Sequence, residues 1–234
     1  MKALILNSGT GSRLGELTKT HPKCMTELTR GETIISRQLR MLHPYAFHEI
    51  VITTGPLADT LESYCQLLDP GCPIRFVHNP DYRTTNYIRS MHLAGAFLDD
   101  DLLLLHGDLV FDADVLRMLL RAPDSRVVTS DTQPLPEKDF KAVLQDGYVK
   151  KIGVEYFDNA VFMQPMYHLE RTVWQRWLTE ITAFCKRGET GCYAENAFNC
   201  ISDDCKIRPL NIENRLCAEI DTPEDLKTIQ RKLA

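Results

Sequence analysis

No C-x-x-C pair occurs anywhere in the 234 residues, although eight cysteines are present. That absence speaks against zinc ribbons, fingers and thioredoxin-like redox motifs. A disulfide framework belongs to short secreted chains, so these cysteines are expected to be reduced, mostly buried small hydrophobes of a cytoplasmic protein. No apolar stretch reaches the length of a membrane span. The opening MKALIL turns polar too soon for a signal peptide, and no membrane partner is expected. A positive excess is missing as well: the formal net charge is −5, whereas the footprint of a nucleic-acid binder is basic. Internal repeats, low-complexity tracts and charge-run linkers are also lacking, which leaves a soluble globular chain with room for a local anion site.

What is present alternates. Short apolar runs at 3–7, 49–54, 74–78, 102–108 and 126–130 are separated by helical patterns at 34–42, 57–68, 86–98 and 112–120. Such alternation predicts an α/β fold: a mostly parallel, Rossmann-like sheet covered by helices on both faces. After Pro134 and Pro136 the rhythm changes. KAVLQ and YVKKI flank Asp146-Gly147, a hairpin signal. Helical patterns follow at 169–186 and 193–201, then a strand near 206–212. Thr222 and Pro223 mark the start of a last helix. The expected organisation is a single domain over 1–234: a nucleotide-binding core at 1–131, an acceptor-binding elaboration at 132–216 and a closing segment at 217–234.

The most informative stretch is LILNSGTGSRLGELTKTHPKCM, residues 4 to 25. A dinucleotide turn, G-x-G-x-x-G, fails by one residue, because Leu14 stands where its third glycine belongs. A P-loop fails on spacing, with Glu16 after Gly15. The remaining pattern, G-x-G-S-R-L followed by P-K, still makes physical sense. Glycines let backbone N–H groups approach an anion, Arg13 offers a planar fork, and Lys23 a point charge. Each residue alone reads as a turn or a solvated charge. Together, at the carboxyl end of a first strand, they read as a phosphate cradle.

The same pattern resembles the signature of the nucleoside-triphosphate transferases that make sugar nucleotides and CDP-alcohols. The resemblance continues through TTG (53–55), NPDYRTTNYIRS (79–90), HGDLVF (106–111), DFKAVL (139–144) and EIDTPEDL (219–226). It is closest to cytidylyltransferases acting on phosphocholine and related phosphorylated or phosphonylated amines. It implies attack of an acceptor phosphate or phosphonate oxygen on the α-phosphorus of CTP, with pyrophosphate released. The acceptor is anionic at neutral pH, a phosphomonoester's second pKa being about 6, so no general base is needed. Positioning and charge stabilisation should carry the reaction.

The resemblance assigns Arg13 and Lys23 to catalysis, and Asp108 and Asp221 to Mg2+. Asp221 has a competing reading as part of the cap of the last helix. Leu6, Asn7, Ser8, Gly9, Gly11, Thr54, Gly55, Thr85, Asn86 and Gly107 are the expected nucleotide contacts. Relatives commonly carry Ala-Ala or Ala-Gly where this chain has Asn7-Ser8. Lys141 is either a ligand of the acceptor phosphate or an exposed strand lysine. Glu195 in CYAENAFN is expected to bind the acceptor's cationic amine beneath aromatic rings. Most of the other rings, Tyr167 and Trp174 among them, are assigned to the core on the helical spacing of 167–178. A homodimer is left open. The rival functions are a uridylyl- or guanylyltransferase acting on a sugar 1-phosphate, and a non-catalytic nucleotide-sensing protein on the same fold.

Overall fold

A computed structural model describes all 234 residues. The first strand, β1 (Lys2–Asn7), is buried from Ala3 onward. Beyond the glycine turn come a short hairpin, β2 (Glu27–Thr29) and β3 (Glu32–Thr33), and helix α1 (Ile34–Leu42). Strand β4 (Ile50–Thr54), helix α2 (Ala58–Cys65), strand β5 (Ile74–His78), helix α3 (Tyr87–Ala94) and strand β6 (Leu102–His106) follow in strict alternation. β1 pairs in parallel with β4 and with β6, and β4 with β5. The order β6-β1-β4-β5 is thus the parallel half read from the sequence.

The rows of β1 explain why helices lie on both faces. Leu4 and Leu6 belong to one apolar cluster with Met91, Trp174 and Trp177, while Ala3 and Ile5 belong to another with Leu39, Leu61 and Leu116. Successive residues of a strand point to opposite faces. A strand apolar at every position must therefore be covered twice.

Strand β7 (Leu109–Phe111), helix α4 (Ala113–Leu120) and strand β8 (Arg126–Ser130) complete the first half. The expected hairpin is present as β9 (Lys141–Gln145) and β10 (Tyr148–Gly153). Asp146 and Gly147 both take positive φ, 52° and 77°, as a two-residue type I′ turn requires.

The sequence reading left residues 160–168 unassigned, and they form the longest strand, β11 (Ala160–Leu169). It lies antiparallel to β6, β8 and β9 and joins the parallel half to the hairpin. Its signal was masked in two ways. Nearly every residue is buried, so no alternation shows, and Pro165 interrupts it. The proline falls in the register break between Met163 and Tyr167 opposite β8, a place where a missing N–H is tolerated.

Helix α5 accordingly starts at Arg171 rather than 169, spanning Arg171–Lys186. Tyr167 is a strand residue, and its place in the core owes nothing to helical spacing. The chain finishes with α6 (Ala194–Asn199), β12 (Arg208–Asn211), β13 (Cys217–Glu219) and α7 (Pro223–Leu233). The antiparallel ladder of β13 on β7 was also unread; three residues are too few to show a period. Among the cysteines, Cys24, Cys65, Cys205 and Cys217 are buried and Cys200 is exposed. No helix is long and apolar enough to cross a membrane.

One glycine at the rim of the sheet is fixed by sterics. A Cβ on Gly55 would lie 2.3 Å from the carbonyl oxygen of Ser8, whereas one on Gly9 would meet nothing within 4 Å. Gly55→Ala is expected to destabilise the protein by about 2–3 kcal/mol, since neither backbone can yield. Gly9→Ala should stay within about 0.5 kcal/mol of wild type. Urea denaturation of the two variants checks this; equal midpoints would contradict it.

Candidate active site

The ends of strands β1 and β6 open onto one cavity of about 660 Å³. Leu6, Asn7, Ser8, Gly9, Gly11, Arg13, Lys23, Thr85, Asn86, Gly107, Asp108 and Asp221 all line it. Of the residues singled out in the sequence, Thr54, Gly55, Lys141 and Glu195 lie outside this lining.

Its chemical centre is a cluster of four side chains. The Lys23 ammonium donates to Asp108 Oδ2 and to Asp221 Oδ1, both at 2.6 Å, and Arg13 reaches the same Asp221 oxygen at 2.9 Å. Asp108 follows Gly107 at the end of β6. Asp221 is delivered by the β7–β13 ladder, which pairs Leu109 with Glu219 and is extended by the Ile220 N–H donating to the Asp108 carbonyl. Leu216 is clamped in turn, its N–H donating to Asp112 Oδ2 and its carbonyl accepting from the Asp112 N–H.

The cap of α7 is made without the Asp221 side chain. Thr222 Oγ1 accepts from the Asp225 N–H, and Asp225 Oδ2 accepts from the Thr222 and Asp221 N–H groups. The competing reading of Asp221 as a capping residue therefore falls away, and its carboxylate faces Lys23.

Burial alone would lower the Lys23 pKa, but the neighbouring carboxylates outweigh it and hold the ammonium above its usual value. Burial likewise opposes the Asp108 charge, and the charges of Lys23 and His106 overcome it, keeping the carboxyl below its usual range. Glu219 is in the opposite position: burial, then the charge of Asp108, push it up to about 7, against the His106 ring that it contacts at 3.1 Å. Ligand atoms of His106, Asp108 and Glu219 all lie within 4.8 Å of one another. Asp108 Oδ1 is buried and has no hydrogen-bond partner, an oxygen left open to a cation.

The glycine turn is shaped around Lys23. Gly11 has φ of +64°, and a Cβ there would sit 3.0 Å from Lys23 Cβ. A side chain at position 11 would thus be strained and would press on the stem of the catalytic candidate.

The neighbouring wall is polar and tightly joined. The hydroxyls of Ser8 and Ser90 are 2.5 Å apart, Asn79 Nδ2 donates to Ser90 Oγ and Thr85 Oγ1, and the Asn7 N–H donates to Thr53 Oγ1. Asn86 accepts the Tyr87 N–H and caps α3. Thr54 is fully buried, with its hydroxyl on His78 at 3.2 Å. Asn7 fills the space above Gly107, where a Cβ would fall 1.7 Å from Asn7 Oδ1.

Two acceptor candidates sit differently from their sequence reading. Glu195 is 1% exposed. Its carboxylate accepts the Tyr167 hydroxyl at 2.8 Å on one oxygen and the Tyr87 hydroxyl on the other, so neither oxygen is left for an amine. Lys141 is fully buried, and an exposed strand lysine it is not. Its ammonium donates to the carbonyls of Pro136 and Asp139, at 2.5 and 3.1 Å, and lies over the Phe157 ring. It fastens the segment whose Lys138, Asp139 and Phe140 do line the cavity.

Sequence reasoning passed over Tyr87 and Phe140 as lining residues. Tyr193 stands 4.9 Å from Phe140 and 5.9 Å from Tyr87, ring centre to ring centre. Tyr87 ends the T-T-N-Y run at 84–87 and is the first residue of α3, directly after its cap Asn86.

Comparison with known proteins agrees with this geometry. Residues 3–191 match the model of the MobA-like NTP transferase domain. The chain belongs to that family. Among curated relatives, the CMP-5'-(3-aminopropyl)phosphonate synthase of Streptomyces rubellomurinus is 38% identical over 135 residues, covering 58% of this chain and 21% of the relative. The CTP:phosphoglutamine cytidylyltransferase of Campylobacter jejuni is 30% identical over 169 residues, 65% of each chain. This chain thus spans less than two thirds of the length of either. In fold, it superposes on the CTP:phosphocholine cytidylyltransferase of Streptococcus pneumoniae with a TM-score of 0.79 at 18% identity, over 100% of this chain and 99% of the other. The resemblance read from the motifs and the α/β fold class both hold.

The Glu195 arrangement has a measurable consequence. Glu195→Ala would leave two buried tyrosine hydroxyls without an acceptor, at a cost of about 2 kcal/mol or more in urea denaturation. Tyr167→Phe, which removes one donor, should cost about 1 kcal/mol. A Glu195→Ala protein as stable as wild type would mean that the carboxylate is free.

Proposed function

We propose that the chain is a CTP-dependent cytidylyltransferase that transfers CMP to the phosphate or phosphonate of a small amine or amino acid derivative. An acceptor oxygen bonds to the α-phosphorus of CTP, the bond to the β-phosphate oxygen breaks, and pyrophosphate leaves. The observation that carries this reading is the Asp108–Lys23–Asp221 cluster with Arg13 at the mouth of the glycine turn. A pure binding module has no need of two converging carboxylates among phosphate-binding cations. The names of the two sequence relatives, one a CMP-aminopropylphosphonate synthase and the other a phosphoglutamine cytidylyltransferase, support the base and the acceptor class.

In this reading Leu6, Asn7, Ser8, Thr85 and Asn86 form the wall for the cytidine, braced by the Ser8–Ser90–Asn79 hydrogen bonds. Thr54 and Gly55 support that wall from behind. Gly9 and Gly11 present N–H groups to the triphosphate, Arg13 pairs with its β- and γ-phosphates, and Lys23 neutralises charge at the α-phosphorus. Residues 1–131 then hold the nucleotide, 132–216 the acceptor, and 217–234 close the site.

The carboxylates of Asp108 and Asp221 suit magnesium, which takes oxygen ligands, and the unpartnered Asp108 Oδ1 fits that assignment. When bound, magnesium would draw charge from the triphosphate and favour pyrophosphate as a leaving group. The acceptor amine is assigned to the faces of Tyr87, Phe140 and Tyr193, with Asp139, next to Phe140 in the chain, lining the same cavity. Lys141 acts through the Pro136–Asp139 segment that it holds, and Glu195 through the Tyr87 ring that it orients.

Pyrophosphate release from each of the four NTPs, against phosphocholine, aminoalkylphosphonates, phosphoglutamine and glucose 1-phosphate, tests the reading. CTP with a nitrogen-bearing acceptor should be preferred, and excess chelator should abolish turnover. Preference for UTP with glucose 1-phosphate would overturn it. Lys23→Ala should lower kcat by about a hundredfold, the loss of one transition-state donor, with a smaller change in nucleotide affinity. Unchanged kcat would remove Lys23 from the chemistry.

A further inference from the structure

We infer that Lys23 is the resident counter-ion of the carboxylate pair, so that Asp108 and Asp221 accept a divalent cation only as the triphosphate draws the ammonium away. The inference deepens the proposed function at the same site and rests on it for the identity of the triphosphate.

The contacts are specific to this arrangement. One ammonium joins Asp108 Oδ2 to Asp221 Oδ1 at 2.6 Å each, and the Asp221 oxygen also receives Arg13 at 2.9 Å. A cation entering here would meet the ammonium and the guanidinium on the same two carboxylates, of which Asp108 Oδ1 is buried without a partner and Asp221 Oδ2 takes part in none of these contacts. Ammonium and dication therefore compete for the same ligands.

The protein is built so that the head of Lys23 can leave while its stem stays. The stem lies against Gly11, which has no side chain to hold it away, and the Lys23 carbonyl is tied by the Thr26 N–H at 3.0 Å. The ammonium itself ends a chain of freely rotating methylenes. Its side chain is 15% exposed, on the cavity that Gly9, Gly11 and Arg13 also line.

A triphosphate entering that cavity offers Lys23 and Arg13 several negative oxygens at once. Both cations then leave Asp221, and two carboxylates are uncovered beside the phosphates. Metal and nucleotide binding should thus be positively coupled, each raising the affinity for the other by the same factor. The chain would take up its metal together with the nucleotide rather than before it.

The test measures metal binding, not turnover. Mn2+ is titrated into the full chain, and free Mn2+ is followed by its electron paramagnetic resonance signal. Wild type alone should bind weakly, and Lys23→Met should bind Mn2+ tighter by about tenfold or more without any nucleotide. Adding Asp108→Asn to Lys23→Met should remove the gain. Lys23→Gln serves as a second neutral variant if Lys23→Met fails to fold. With CTP and no acceptor, after subtracting the Mn2+ that CTP holds in a protein-free titration, wild-type affinity should rise toward that of the neutral variant.

Neutral variants that bind Mn2+ no tighter than wild type would overturn the inference, as would a wild type that binds equally well with and without nucleotide. The metal-only arm does not involve CTP. If it succeeds while none of the four NTPs alters Mn2+ affinity, the competition at Asp108 and Asp221 stands and the proposed function fails.

Discussion

Two ionised carboxylates cannot be held side by side at the edge of a sheet unless one takes up a proton or something positive stands between them. In this protein that requirement organises the whole carboxyl edge. Asp108 is placed by the end of β6 and Asp221 by the ladder of β13 on β7, so their approach is enforced by backbone hydrogen bonds rather than by their own affinity. Lys23 supplies the charge, at 2.6 Å from each. Glu219, the next acidic group, is pushed up to about 7 by burial and by Asp108. Burial and the Asp108 charge thus both act against a third full negative charge in the cluster. The glycine turn belongs to the same constraint, because only a residue without Cβ at position 11 leaves room for the Lys23 stem.

Much of this was legible in the sequence, for definite physical reasons. The β1–α1–β4–α2–β5 alternation is visible because buried parallel strands are apolar at every position and their helices are amphipathic. Asp146-Gly147 announces its hairpin because few other pairs accept two positive φ angles. Thr222 and Pro223 spell out a helix start. The phosphate cradle was readable because glycine, arginine and lysine are each weak signals, yet their coincidence after a first strand is not.

What could not be read depends on tertiary partners. β11 is buried by β6, β8 and β9, all remote in sequence, and its proline hides it further. Glu195 and Lys141 are the clearest cases. A carboxylate and an ammonium in an aromatic-rich second half suggest ligand binding, but the decision lies with Tyr87, Tyr167 and the Pro136 and Asp139 carbonyls. Tyr87 and Tyr167 are remote from Glu195, and the Pro136 and Asp139 carbonyls, though only five and two residues from Lys141, are backbone groups that no side-chain pattern announces. A buried charge must be satisfied by something, and sequence alone cannot tell a ligand from the protein's own hydroxyls and carbonyls.

The Asn7-Ser8 departure from the family's small residues can be understood in the same terms. A small side chain at position 7 would leave the space above Gly107 unfilled; the Asn7 carboxamide fills it, and position 107 must then be glycine. The Ser8 carbonyl presses on Gly55 while its hydroxyl bonds Ser90. The two polar residues thus meet two glycines at strand ends and a serine on α3, and neither glycine can gain a Cβ while they stay in place. One polar atom remains outside this scheme: Asn7 Nδ2 is buried without a partner. An unmade hydrogen bond of that kind costs about 1–3 kcal/mol. Protein groups satisfy the buried Glu195 and Lys141 charges, but Thr26 Oγ1, Gln38 Oε1, Gln164 Oε1 and His168 Nδ1 are buried without partners away from the cavity. Asn7 Nδ2 and Asp108 Oδ1 differ from those atoms in belonging to residues that line the cavity, where an incoming ligand can complete what the protein leaves unmade.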